Sequence, residues 1–260
     1  MKNKRLIILL SVFAFLVLIA VLCSTVFTVK KVQVNWLTTK VLFVQNDSEI
    51  VSDVKKGESV FLVDKNSIKQ KLESDFPYLK VVGLEIKFPN KLVVHTAERQ
   101  EVFSVKVKDN LHYILDGECK VLRTSTDSNL GNTVPVEVVN YTFPSGTFEV
   151  SKIANMGYVG TVLNTLTNSF LDSGYEMVDI VSNLVSVKID VTGYNENLEF
   201  KMRDVEHGVS VKINKITSQL FEKIKFAIGV YDNQLTNLQK ESGTLTVYSV
   251  GGVIKSEYEA

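Results

Sequence analysis

The sequence predicts an α+β protein with a single N-terminal transmembrane helix followed by two mixed domains. Three observations predict this class: an uncharged apolar run near the N-terminus, a strand-helix-helix-strand-strand order after it, and a strand-rich remainder with two amphipathic helices. The predicted segments are a cytoplasmic tail at 1–5, the transmembrane helix at 6–29, a first domain at 30–99, a second domain at 100–250 and a flexible C-terminal tail at 251–260.

The predicted transmembrane helix runs from Leu6 to Val29 without a charged residue. Its 24 residues exceed the roughly 20 that cross the apolar core of a bilayer. A cleaved secretory signal has a shorter apolar region of about 7–15 residues and a small-residue cleavage site. A lipoprotein signal ending at Cys23 would need a small residue where Leu22 stands. The run is therefore interpreted as an uncleaved anchor in the lipid bilayer.

Composition excludes two classes of protein. Lys and Arg together number 29, as do Asp and Glu, so no basic field marks the chain as a nucleic-acid binder. The two cysteines, Cys23 and Cys119, form no disulfide framework. Cys119 is interpreted as a buried small side chain or as a free thiol.

Basic residues flank the anchor on both sides, so charge favours a cytoplasmic N-terminus only slightly.

The first domain begins with a strand in which Val32 and Val34 alternate with polar residues. The next features are a candidate pairing strand at Leu42–Gln45, a short helix opened by Asp47 and stopped by Gly57, a strand at Val60–Val63, and a second helix capped by Asp64 or Asn66 and ended by Pro77. In that second helix, Ile68, Leu72 and Phe76 recur at intervals of four residues on one face.

A hairpin completes the first domain. Leu84 and Ile86 alternate with charged residues, and after Pro89-Asn90 the chain returns as an apolar strand from Leu92 to Ala97. Three strands with both helices packed on one face would cover the apolar side of all five elements.

The second domain is predicted as an antiparallel sheet with two helices. Its predicted strands are Val102–Val107, Leu111–Leu115, Lys120–Leu122, Val134–Val139, Tyr175–Val181, Leu184–Val191, Leu198–Met202, Val209–Ile213 and Gly243–Val250. A tight turn is predicted at Asp116-Gly117. Apolar stripes with a period of 3.6 residues predict one helix over Val159–Phe170 and another over Ile216–Leu238.

The stretch GESVFLVDKNSIKQKLESDFPYLKVVGLEIKFPNKLVVHTAERQEVFSV, residues Gly57–Val105, resembles the membrane-proximal POTRA domain of the FtsQ/DivIB bacterial cell-division family. YILDGECKVL, Tyr113–Leu122, resembles the hairpin that opens the family's second domain, called the β domain. The resemblance implies a non-catalytic scaffold of the division machinery, or divisome, at the septum during cell-wall synthesis. It also implies a type II membrane topology and two single-pass partners, one FtsL-like and one FtsB/DivIC-like.

No arrangement typical of a catalytic or metal site is found in the sequence. His95, His112 and His207 have no metal-ligand spacing, and no glycine-rich phosphate loop follows a strand. His112 could meet Cys119 across the predicted turn, although two unrelated strand residues are the simpler interpretation. Glu98-Arg99 is interpreted as an exposed ion pair rather than a functional pair. No cofactor and no small-molecule substrate are expected.

The predicted partner-binding residues lie on the strand Gly243–Val250, which has neither proline nor charge. A strand at the end of a chain often lies at a sheet edge, where unpaired backbone groups can accept a partner's strand. Leu245 and Val247 are expected to face the core, and the partner-binding residues are Thr244, Thr246, Tyr248 and Val250. A mid-sheet position, or coverage by the tail, is the alternative.

Two other functions remain open from the sequence. A membrane-anchored envelope enzyme would need a site assembled from scattered residues. A POTRA module of an envelope assembly or secretion machine would carry a cleaved signal and a long β-barrel, unlike this chain.

Overall fold

The computed structural model describes residues 2–38, 47–54, 56–126, 128–192, 196–203 and 208–260. The candidate strand at Leu42–Gln45 lies outside the described residues. The chain divides into two compact units, Met1–Arg99 and Gln100–Ala260, here called the first and second unit.

Helix α1 runs from Lys2 to Thr25 and so ends four residues before the predicted boundary at Val29. Val29 is instead buried in the apolar core of the first unit. An apolar run can serve a bilayer or a protein core equally well, so hydropathy alone does not locate this junction. Among the residues that the structure describes, no helix is both long and apolar enough to qualify as a membrane span.

The rest of the first unit has the predicted order of strand, helix, helix, strand, strand. The elements are β1 (Lys31–Trp36), α2 (Asp47–Asp53), α3 (Lys65–Asp75), β2 (Leu79–Lys87) and β3 (Lys91–Glu98). The described strands are ordered β1-β3-β2, with β1 parallel and β2 antiparallel to β3. Asp64 caps α3 by accepting hydrogen bonds from the backbone N–H groups of Asn66 and Ser67.

The core of the first unit lies between this sheet and its two helices. Leu72 of α3 packs there with Ile50 of α2, together with Leu92 and Val94 of β3. The predicted strand at Val60–Val63 is wrong, because residues 60–62 form a turn. Val60 is buried in the core and Val63 packs against it, whereas Phe61 and Leu62 between them are exposed.

Arg99 is a buried residue rather than half of the predicted exposed pair with Glu98. Its guanidinium donates to Glu73 Oε2 at 3.2 Å and to the carbonyl oxygen of Leu79 at 3.3 Å. Glu73 Oε1 also accepts from the backbone N–H of Val81 at 2.8 Å. The pair therefore joins the end of α3 to the start of β2, and a buried charge of this kind needs its partner.

The second unit alternates strands and helices. Its elements are β4 (Phe103–Lys108), β5 (Leu111–Leu115), β6 (Val121–Ser125), β7 (Val134–Val139), α4 (Tyr158–Asp172), α5 (Met177–Asn183), β8 (Leu184–Asp190), β9 (Asn197–Met202), β10 (Ser210–Asn214), α6 (Leu220–Asn233), α7 (Asn237–Glu241), β11 (Thr244–Val250) and β12 (Val253–Glu259).

Nine described strands of the second unit form one sheet, here called the large sheet, in the order β12-β11-β10-β9-β8-β7-β4-β5-β6. The sheet is mixed and not antiparallel as predicted, because β4 pairs with β7, β7 with β8 and β10 with β11 in parallel. Parallel neighbours need a crossover, and helices supply it twice: α4 and α5 join β7 to β8, and α6 and α7 join β10 to β11.

The two predicted helical stripes are the main crossover helices. Leu163 and Phe170 of α4, and Ile224 and Ala227 of α6, are buried in the core that covers one face of the large sheet. Three further predictions are wrong. The predicted strand Tyr175–Val181 contains most of helix α5, the predicted helix Ile216–Leu238 is divided where Thr236 caps α7, and the predicted flexible tail 251–260 contains strand β12.

We expect Leu72→Ala to lower the free energy of unfolding by about 2–5 kcal/mol, because it leaves a cavity in the core of the first unit. Urea denaturation followed by the fluorescence of Trp36, the only tryptophan, measures this loss. Val82→Ala is the control, since Val82 is exposed on β2, and it should cost about 0.5 kcal/mol or less. A Leu72 variant as stable as this control would place α3 against water.

Candidate partner-binding surface

Strands β11 and β12 form a hairpin at one end of the large sheet. The two residues between them, Gly251 and Gly252, have φ angles of 60° and 82°. Positive φ at both central positions is typical of the type I′ turn, whose twist matches that of paired strands. The flanking residues Val250 and Val253 are paired, and the antiparallel register continues to Thr244 opposite Glu259.

Because of this hairpin, the edge of the large sheet is not the strand that the sequence predicts. Strand β11 lies between β10 and β12, so the prediction that Gly243–Val250 is a free edge is wrong. Strand β12 is the terminal strand of the large sheet on this side, and β6 is terminal on the other. The backbone groups that can accept a further strand here belong to β12.

The four predicted partner-binding residues do share one face of β11. Leu245 and Val247 are buried in the core, so the alternate positions turn to the opposite face of the sheet. Thr244, Thr246 and Tyr248 are half-buried there and Val250 is exposed. The register sets exposed β12 residues beside them, with Lys255 opposite Tyr248, Glu257 opposite Thr246 and Glu259 opposite Thr244.

The geometry of the turn determines which backbone groups of β12 are not bonded to β11. In a two-residue hairpin the pair that flanks the turn exchanges hydrogen bonds, and bonded pairs then alternate with non-bonded ones. Residues 253, 255, 257 and 259 therefore bond to β11. The N–H and C=O groups of Ile254, Ser256 and Tyr258 point away from β11, toward the open side of the sheet.

The base of the hairpin is closely packed. Tyr258 Oη donates to the carbonyl oxygen of Ser242 at 3.0 Å. Gly243 has a φ of 87°, and a Cβ at this position would lie 2.4 Å from the carbonyl oxygen of Glu259. Glycine is therefore required where the two strands approach, because any side chain would push β12 away from β11.

The sequence contains a signal for β12. Gly-Gly between two alternating runs is a strong hairpin pattern. Ile254, Ser256 and Tyr258 alternate with Val253 and the charged residues 255, 257 and 259. The charged positions make this run similar in composition to a solvated tail.

The structure does not bring Cys119 and His112 together as a nucleophile and a base. Cys119 is buried in the core against α4, with its sulfur 3.9 Å from the carbonyl oxygen of Gly160. Tyr113 packs on that core, so the adjacent His112 turns to the other face, where it lines a cleft with Ser104. Burial, with a smaller effect of Asp116, raises the pKa of the Cys119 thiol to about 12, which disfavours the reactive thiolate.

Metal ligands are also not grouped in the part of the chain that the structure describes. No set of three or more His, Cys, Asp or Glu side chains there could hold an ion. The geometry at the β11–β12 hairpin suits backbone pairing with another chain.

Comparison with known proteins identifies residues 46–99 as a POTRA domain of the FtsQ type. The chain is similar to cell division protein DivIB of Clostridium tetani, with 23% identity over 178 residues, which cover 66% of this chain and 63% of that protein. It is also similar to the DivIB proteins of Clostridium acetobutylicum, at 24% identity over 53% of this chain, and Clostridium botulinum, at 26% over 50%.

These similarities confirm the resemblance found in the sequence. The matched segments span between 50% and 63% of the length of these three relatives. The POTRA match covers α2, α3, β2 and β3 of the first unit.

We expect Cys119 to resist alkylation in the folded protein. At pH 8, a thiol with a pKa of about 12 is ionised to about one part in ten thousand, and burial also blocks the reagent. Iodoacetamide labelling of a Cys23→Ser variant, followed by mass spectrometry, should show modification only in guanidinium chloride. Native labelling at the rate of a free thiol would contradict this assignment.

Proposed function

We propose that this chain, which belongs to the FtsQ/DivIB family, is a non-catalytic scaffold of the divisome. It binds and positions other membrane-anchored division proteins at the septum during cell-wall synthesis. The observation that carries the proposal is the open edge of β12 beside the exposed face of β11. The family match and the DivIB relatives support a role in cell division.

The proposed anchor is the part of α1 from Leu6 to Thr25. Those 20 uncharged residues would rise about 30 Å as a helix, the thickness of a bilayer core. Large apolar side chains are exposed on this helix from Ile8 to Val21, and a helix that is apolar on all sides is favoured within lipid. The proposed topology is single-pass type II, with the N-terminus in the cytoplasm and the chain from Lys30 onward outside it.

Partner binding is proposed to occur by strand addition to β12. Main-chain hydrogen bonds to the free groups of Ile254, Ser256 and Tyr258 would supply affinity. Side chains on the exposed face would supply selectivity, with Tyr248 as the main apolar contact. Glu257 and Glu259 favour a partner strand with basic residues opposite them. The proposed partners are the FtsL-like and FtsB/DivIC-like single-pass proteins of the same cell.

We expect Ser256→Pro to weaken binding of the FtsB/DivIC-like partner by roughly tenfold or more, because proline removes the central outward N–H donor and its ring blocks the approaching strand. The bonds between β11 and β12 are retained, since residue 256 is a non-bonded position. Titration of the purified full chain with the partner, both in detergent, gives the dissociation constant.

Ser256→Ala is the matched control, because it removes the hydroxyl and keeps the N–H donor. It should bind like the wild type, and circular dichroism should show the same fold for both variants. A folded Ser256→Pro protein with unchanged affinity would exclude strand addition at β12.

We expect the chain to remain in the membrane pellet after carbonate washing and to keep its N-terminal residues. A reporter that is active only in the cytoplasm should be silent when it is fused after Ala260. Release into the soluble fraction would exclude the anchor, and an active reporter would reverse the topology.

A further inference from the structure

Three phenylalanines from separate segments of the first unit form one cluster, in which Phe27 is half-buried against the core and the other two are exposed. The ring centroids of Phe27 and Phe61 are 5.5 Å apart, those of Phe61 and Phe88 are 5.7 Å apart, and those of Phe27 and Phe88 are 6.3 Å apart. Phe61 is 59% and Phe88 is 64% exposed, and the neighbouring Leu62 is 74% exposed. These four side chains are here called the aromatic patch.

Backbone hydrogen bonds hold the patch together. The N–H of Val60 donates to the carbonyl oxygen of Phe27 at 2.9 Å, and the N–H of Lys30 donates to that of Asn90 at 2.9 Å. The turn at 60–62 and the turn between β2 and β3 are thereby both joined to the segment that leaves α1. These backbone hydrogen bonds hold the three rings next to one another on the surface of the first unit.

The position of the patch along the chain is informative. Phe27 follows the end of α1 at Thr25 by two residues, a distance of at most about 7 Å. If α1 spans the bilayer, the patch lies at the depth of the lipid headgroups. Exposed aromatic and leucine side chains are favourable at that depth, where they enter the boundary between headgroups and acyl chains.

Four lysines lie on the backbone segments that carry Phe27 and Phe88. Lys30 and Lys31 are exposed, and the backbone N–H groups of both donate to the carbonyl oxygen of Asn90 in the turn that carries Phe88. Lys91 pairs in register with Lys31, and Lys87 is the last residue of β2. The segments that carry the patch also include the acidic residues Glu58, Asp64 and Glu85, of which Glu85 lies 3.6 Å from Lys87. Lysines in excess suit the phosphates of an anionic lipid surface.

We propose that the aromatic patch inserts into the outer surface of an anionic bilayer, with the four lysines on the lipid phosphates. This inference rests on the proposed membrane anchor and adds a second, shallow contact that fixes the orientation of the first unit. The occupant is lipid, because the patch continues directly from the anchor and carries matching charge.

Tryptophan reporters test the insertion in the full-length chain. In a Trp36→Phe background, Phe61→Trp or Phe88→Trp is reconstituted into phosphatidylglycerol vesicles whose acyl chains carry bromine, a quencher, near the headgroup. We expect bromine at this shallow depth to reduce the tryptophan fluorescence to about half or below. Bromine near the chain ends should quench it less. The wild-type chain is the control, because Trp36 lies at the opposite end of β1 and should be quenched less.

Charge is tested by Lys87→Gln combined with Lys91→Gln, which should reduce quenching in phosphatidylglycerol and leave it unchanged in phosphatidylcholine. Reporters that are not quenched in a chain that resists carbonate extraction would overturn the inference and leave the anchor intact. A chain extracted by carbonate would overturn both. Quenching that occurs only with bromine near the chain ends would also overturn shallow insertion.

Discussion

The large sheet of the second unit is constrained by the need to bury one apolar face. Helices α4 and α6 cover that face, and Phe103, Phe170 and Phe200 fill the space between helices and strands. The parallel pairs β7–β8 and β10–β11 follow from this arrangement, since a crossover helix must return across the same face before the next strand can begin. The mixed topology is thus partly a result of the helices crossing one face.

The placement of both crossover helices on one face also determines what the second unit presents to other molecules. The opposite face carries alternating polar residues such as Glu137, Lys188 and Glu199, which neighbour one another in register across β7, β8 and β9. An open sheet must also end, and each end exposes unpaired backbone groups. At β12 the charged residues on one face discourage unselective pairing, while the backbone remains available to a strand with complementary charge.

The sequence predicted most elements of the fold because their apolar periods were long or their caps were distinct. Asp64 before α3 and the stripe of α4 are examples, and both reflect interactions within one segment. Strand direction depends on contacts between segments distant in sequence, so the parallel pairs were not predicted. The candidate site was partly predicted: the face of β11 that carries Tyr248 was identified, whereas its neighbour β12 was missed because charged alternation resembles a solvated tail.

The junction after α1 has a consequence for chimeric proteins. Thr28 pairs with Ser59 and Val29 is buried, so the fold that follows α1 begins at the end of the helix and not after a spacer. A foreign helix could replace α1 up to Thr25, but an exchange that extends to Val29 would remove part of the core of the first unit. Domain boundaries drawn from hydropathy would make that error, and the resulting loss of folding would be mistaken for a specific requirement for the native helix.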